Sequence, residues 1–196
     1  MKEKWTGKEF LLTIGFSVIY FIITMVVMMT GSFTPLTWIF MTAVIGLLAG
    51  IPYMYITARE QKMGVPMIMN LIVGIVYFAA GELSDLLLVT LVITAVAAEI
   101  IRKVGGYDRL KSNQLSYIVF VFGMFGSPLY IWAFREYTIG SAVKEMSEPY
   151  AAQMEAMTPP WMLAVVIVAT LCFAVMGTLI AKGVLKKTNK KFMCKQ

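Results

Sequence analysis

The side chains able to do chemistry gather at the ends of apolar runs. Tyr130, Trp132, Arg135 and Glu136 cluster at the end of one run, Glu82 and Asp85 flank a turn, and Phe33, Trp38 and Trp161 mark other boundaries. Aromatic walls with a few placed polar groups are the composition of a small-molecule pocket. The same residues serve equally well as an interfacial aromatic belt with solvated loop charges. As a pocket, Trp38, Tyr130 and Trp161 would stack on a flat ring, while Glu82 and Arg135 would fix polar or charged groups. These five are the candidate substrate-binding residues. Glu99 precedes Arg102 by one helical turn, so the two are expected to pair on one face. Asn70 lies inside an apolar run, where a bond to a neighbouring helix is the expected use.

Several chemistries are poorly supported. The chain has no histidine, which removes His-based acid–base catalysis, most zinc sites and His-ligated haem. It shows no nucleophile–base pair and no acidic metal cluster, so no catalytic residue, no metal ligand and no cofactor is expected in it, and an enzyme is not. No carboxylate or arginine falls near the centre of an apolar run, which argues against ion-driven transport. Cys172 sits in an apolar run and Cys194 in a basic tail, so no disulfide is expected. The 16 methionines suit core and lipid-facing positions.

The elements that must position these residues are membrane helices. The chain is 59% hydrophobic and only 14% charged, against about a quarter charged in soluble domains. No charged residue occurs from Phe10 to Ala58, too long a stretch for one helix and right for two, divided at Gly31–Pro35. The predicted architecture is an all-α single membrane domain over 1–196, with six transmembrane helices at about 10–30, 36–58, 65–80, 85–102, 113–134 and 161–182. Gly105-Gly106 is the expected stop of the fourth. The first apolar stretch is longer than a signal-peptide core and no A-x-A site follows, so it reads as a retained span. Of the 17 Lys and Arg, all but Arg135 and Lys144 fall on one side of this arrangement. That side is cytoplasmic by the positive-inside rule and holds both termini. The net charge of +6 is therefore a topology signal, and no nucleic-acid partner is expected. The extracellular segment 135–160 carries Val143, Met146, Tyr150, Met154 and Met157 at helical spacing, broken near Pro149. It reads as a lid over an outward site or as a helix on the membrane surface. Small residues recur at packing distance as Thr13, Gly15 and Ser17, as Gly46-x-x-x-Gly50, and as Gly177 and Ala181. Packing within the bundle is the simpler reading, and docking to a partner subunit the sharper one.

Along most of its length the chain resembles the Trep_Strep (MptD-type) family of substrate-binding S-components of energy-coupling factor (ECF) transporters. The resemblance lies in Lys8–Phe21, Gly50-Ile-Pro-Tyr-Met54, the start after Lys62-Met-Gly64, and Gly177–Lys187. Its most specific stretch is Ala98–Tyr107 followed by Lys111-Ser-Asn-Gln-Leu-Ser-Tyr117. It implies a six-helix protein of the bacterial cytoplasmic membrane that captures a vitamin-like micronutrient from outside. Such a component docks on a membrane coupling subunit powered by two cytoplasmic ATPases, topples, and releases its cargo inside; ATP is used by the partners alone. The implied docking residues are Thr13, Gly15 and Ser17, small but not the family's alanines, and Gly31–Pro35 matches the gating loop. The implied substrate is a vitamin or its precursor, with a porphyrin, held by Tyr or Met, as a further candidate. The alternative is a small accessory membrane subunit that binds no solute.

Overall fold

The computed structural model describes residues 5–188. The sequence readings that fall on Lys2, Lys4, Lys190, Lys191, Cys194 and Lys195 lie outside them. The described chain is helical, with no strand among the described residues.

Helix α1 (Gly7–Thr30) opens on a capping box, Thr6 with Glu9, which satisfies two amide donors the helix start leaves free. Glu9 also accepts Lys62 Nζ at 2.7 Å, and Trp5 Nε1 donates to Met63 O at 3.2 Å. The start of α1 is thereby fixed beside the turn that precedes α5.

The predicted helix 36–58 is three pieces, α2 (Pro35–Ile39), α3 (Met41–Leu48) and α4 (Gly50–Arg59). Between α3 and α4 the axis bends by 46°. Pro52 supplies the cause, because its ring lacks an N–H and collides with the carbonyl four residues back, Leu48. The Tyr117 hydroxyl donates to the carbonyls of Ile45 and Gly46 at 3.1 and 2.9 Å, just before the bend.

Helix α5 (Val65–Ala79) follows Gly64, whose φ of +104° only glycine adopts readily. Helix α6 (Asp85–Gly105) is capped by Ser84 and stops at Gly106, φ +96°, three residues beyond the predicted 85–102. The predicted helix 113–134 starts earlier and is interrupted: α7 (Leu110–Phe120), a 3-10 turn over Val121–Phe125, then α8 (Gly126–Ala133). Pro128 cannot donate to Met124, and Thr90 Oγ1 donates to the Gly123 carbonyl inside the turn at 2.8 Å. The segment 135–160 folds as two helices, α9 (Arg135–Glu145) and α10 (Glu148–Met157), with Pro149 in the first turn of α10. The last helix, α11 (Met162–Thr188), runs well past the predicted 182.

By length and composition, Gly7–Thr30, Leu110–Ala133 and Met162–Lys187 are able to cross a membrane, and the bent pair α3–α4 makes a fourth crossing if counted as one span. At 15 residues, α5 is apolar but shorter.

The core lies where α1, α4, α6 and α7 meet. Tyr53 packs at a tilt between Tyr117 and Phe120, ring centroids 5.1 and 4.6 Å away, and Tyr20 meets Phe120 edge-on at 5.3 Å. Ser116 Oγ donates to the Ala98 carbonyl at 2.9 Å, so the Tyr53 hydroxyl is the donor in its 2.6 Å bond to Ser116. That chain of hydroxyls ties α4, α7 and α6 together. On the other side α11 lies directly on α3 and α4. A Cβ on Gly50 would stand 2.8 Å from the Gly177 carbonyl carbon, and one on Gly177 would collide with Gly46 O. Both small-residue pairs therefore serve packing inside this bundle, where dispersion needs backbones close together.

Candidate functional site

One end of the bundle carries a helical cap. It is built from the turn after α1, helix α2, the end of α8, and the α9–α10 hairpin. Ile131, Ala142, Ala151 and Met154 form its small core, packed against Trp38, Trp132, Ile139 and Tyr150. Three polar ties hold it. Arg135 donates to the carbonyls of Thr158 at 2.8 Å and Glu155 at 3.0 Å. Trp132 Nε1 donates to Pro159 O at 3.3 Å, and the Tyr150 hydroxyl to Gly31 O at 2.6 Å. Burial beside that carbonyl raises the Tyr150 hydroxyl above its ordinary value, so it remains a donor. Tyr150→Phe removes the hydrogen bond between α10 and the turn after α1. It is expected to loosen the cap by about 1 kcal/mol, read as roughly fivefold faster amide exchange across α10 with exchange in α3 unchanged.

Of the five candidate substrate residues, the cap gathers three. Trp38 is half-buried and touches all three apolar clusters. Tyr130 packs at a tilt against Phe134, ring centroids 5.2 Å apart, and stands 6.5 Å from Tyr137. Arg135 is engaged with the cap's own backbone, and its contact with the Glu155 carboxylate is 3.7 Å. Glu82 is exposed on the α5–α6 turn, and Trp161, 63% exposed, stands just before α11. An apolar groove of about 450 Å³ between α5 and α6 is lined by none of the five.

At the opposite end lies a knot centred on Arg102, which is fully buried. Its Nε donates to Asn113 Oδ1 at 3.0 Å, Nη1 to Lys62 O at 3.2 Å, and Nη2 to the carbonyls of Thr57 and Glu60 at 3.1 and 2.9 Å. The expected partner Glu99 is present at 3.9 Å, and the Tyr107 ring lies under the guanidinium, 5.0 Å from its centroid. Tyr107 also donates to Glu99 Oε1 at 2.8 Å. Burial and that carboxylate push its hydroxyl up to about 12, which keeps it protonated. The spacing of Glu99 and Arg102 gave the ion pair. Asn113, Tyr107 and the three carbonyls lie at separations no local pattern encodes.

The three candidate docking residues do not share a face. Thr13 and Ser17 are fully buried and bond back to carbonyls of their own helix, Glu9 at 3.0 Å and Thr13 at 2.7 Å. Gly15 points away from the bundle, with nothing within 4 Å of where a Cβ would be. Helical spacing explains this: residues four apart share a face, and the residue between them lies on the opposite side.

An all-helical bundle with several apolar helices of membrane length defines a multi-pass integral membrane protein. The chain belongs to the Trep_Strep family, described as hypothetical bacterial integral membrane proteins, whose sequence model matches residues 7–191. Comparisons with curated proteins and with solved structures gave no match.

Proposed function

We propose that this chain is the substrate-binding S-component of an ECF-type importer in the bacterial cytoplasmic membrane. It captures a vitamin-like micronutrient from outside and hands it to a membrane coupling subunit driven by two ATPases. The chain itself is no enzyme, needs no cofactor, and has six spans with both termini inside. Two contact sets support the six passes. Trp5, Lys62, Arg102 and Asn113 meet at one end, while Gly31, Trp132, Tyr150 and Pro159 meet at the other. The first end is also where Lys8, Arg59, Lys62, Lys103, Arg109 and Lys111 cluster along the sequence, as a cytoplasmic side requires.

The observation that carries the reading is the cap. Trp38, Tyr130 and Arg135 belong to it, and the Tyr150 hydroxyl bonds to the gating-loop candidate Gly31–Pro35 at Gly31 O; on this reading that end faces outward. Opening the α9–α10 hairpin would free Arg135 and the aromatic rings for a flat, polar-edged molecule. Glu82 and Trp161, both exposed, would complete such a site from its rim.

The accessory-subunit reading is favoured by one observation, that Arg135 is already occupied by backbone carbonyls in the closed cap. Co-expression with ECF coupling and ATPase subunits, followed by native mass spectrometry, decides between them. A four-subunit assembly with added small-molecule mass is the expected result. A lone chain with no ligand would leave the accessory reading standing.

The docking face is tested at Gly15. Gly15→Trp adds a side chain into open space, so it is expected to leave the isolated chain's melting temperature unchanged and to cut recovery of the assembly at least tenfold. Full recovery would remove this face of α1 from docking.

A further inference from the structure

The end of α10 sits in the Arg135 guanidinium as a carboxylate would. Arg135 opens α9 and faces the last turn of α10. Its Nη1 donates to Thr158 O at 2.8 Å and to Thr158 Oγ1 at 3.4 Å, and its Nη2 donates to Glu155 O at 3.0 Å. Two carbonyl oxygens therefore fill the two nitrogens of one guanidinium edge. A single carboxylate fills that edge with its own two oxygens. The Glu155 side chain adds a carboxylate 3.7 Å from Nη2. All of these acceptors belong to α10 or to its C-terminal cap, Thr158. Helix α10 is itself lightly held. It buries two of its ten residues, Ala151 and Met154, whereas α3 buries five of its eight. The backbone is non-helical on both flanks, at Met146 (φ −114°, ψ −84°) and at Thr158 (φ −118°, ψ 51°). An element with few buried side chains opens more readily than the core. Helix α9 keeps a separate hold on α8, through the Tyr137 ring 6.5 Å from Tyr130.

We propose that Arg135 recognises a small molecule bearing a carboxylate, and that the end of α10 is a strap holding its place until that group displaces it. This rests on the substrate-binding reading and gives it a chemical class. The helix end offers the guanidinium only the partial negative charge of main-chain carbonyls. An ionised carboxylate offers a full charge and two oxygens in the plane of the fork. Glu155, the carboxylate that would repel it, rides on α10 and leaves with it. The departure of α10 also takes Ala151 and Met154 out of the cluster that holds Trp38 and Trp132. Trp132 reaches Pro159 O at 3.3 Å, next in sequence to the Thr158 carbonyl, so its indole borders the fork. The uncovered rings suit the flat part of the ligand. A neutral amide of the same shape has one acceptor oxygen and no charge, and lacks what moves α10.

The test uses the purified full chain in nanodiscs and amide hydrogen exchange read by mass spectrometry. The probes are benzoate, 2-naphthoate and indole-3-acetate, each beside its own amide at matched millimolar concentration. The expected result is that a carboxylate speeds exchange over 148–157 roughly fivefold, with exchange over 41–48 unchanged, and that its amide does not. Arg135→Lys keeps the charge without the planar fork, and is expected to lose most of that response. The comparison of acid with amide needs only the wild-type chain, so it decides the matter even if the variant fails to fold. No response to any of the three carboxylates, or an equal response to the amides, would overturn the proposal. So would a full response in Arg135→Lys, which would place the anion elsewhere, or a response to phenyl phosphate alone, which would change the ligand class. The importer assembly is weighed without these probes. Assembly without the exchange response therefore sinks this proposal alone, and the response without assembly sinks the transport reading alone.

Discussion

Arg102→Met is expected to be among the most damaging single substitutions in this protein. It removes the donors now bonded to Asn113 Oδ1 and to the carbonyls of Thr57, Glu60 and Lys62, and it strips Glu99 of its cation. Breaking a buried ion pair by removing one partner costs about 3–5 kcal/mol, because the other charge stays behind uncompensated. For a chain of this size each kcal/mol moves the melting midpoint by about 2–4 °C, so a fall on the order of 10 °C is expected in detergent. Arg102→Lys should recover only part of it. An ammonium is a point charge and lacks the planar fork that reaches Asn113 on one edge and three carbonyls on the other. The measurement is a thermal melt of both variants beside Asn113→Ala, which removes one bond only. A lysine variant melting with the wild type would show that charge alone, and not the fork, holds this end of the bundle.

The second large effect is expected at Gly177. A Cβ there would run into Gly46 O and stand 2.8 Å from Leu47 O, both main-chain atoms that cannot swing aside. Overpacking a tight contact costs about 1–3 kcal/mol when side chains can yield, and this contact is backbone on backbone. Gly177→Val is therefore expected to lift α11 from α3 and abolish monodisperse protein. Gly46→Ala, whose Cβ would stand 3.2 Å from Ala174 N, should cost far less. Gly183→Ala on the same helix, where a Cβ meets nothing within 4 Å, is the control and should be neutral or slightly stabilising. Size-exclusion profiles of the three variants read this order directly. A normal profile for Gly177→Val would mean that α11 is free to move off its seat.

These two sites show how far the sequence could be read. Glu99 and Arg102 were legible as a pair because their spacing is local. Gly46-x-x-x-Gly50 and Gly177 were legible as packing residues because small side chains at four-residue spacing let helices approach. Neither pattern named what it meets on the neighbouring helices. The bends were half-legible: Pro52 and Pro128 stand in plain view, yet the readings 36–58 and 113–134 ran straight through them. Proline is tolerated in membrane helices where neighbours satisfy the freed carbonyls, and only the fold supplies those neighbours. The segment 135–160 gave its helical spacing and its break near Pro149, while its packing against Trp38 and α8 was not encoded locally.

Thr13, Gly15 and Ser17 mark the boundary most sharply. Their small size was visible; their direction was not. In a soluble helix, hydrophobic periodicity separates inside from outside. A helix in lipid is apolar on both faces, so α1 presents Leu11, Val18 and Ile22 outward while burying Thr13, Ser17 and Tyr20. The sequence by itself determined the membrane class, the approximate helix positions, the basic side and the family, because each is carried by composition or by order along the chain. The tertiary structure alone decided which face of each helix is buried, where Arg102 finds its acceptors, and that Arg135 meets the carbonyls at the end of α10. Those facts depend on what each helix meets across the bundle, and nearly uniform apolar helices leave that choice to close packing and to the few polar groups that must find partners.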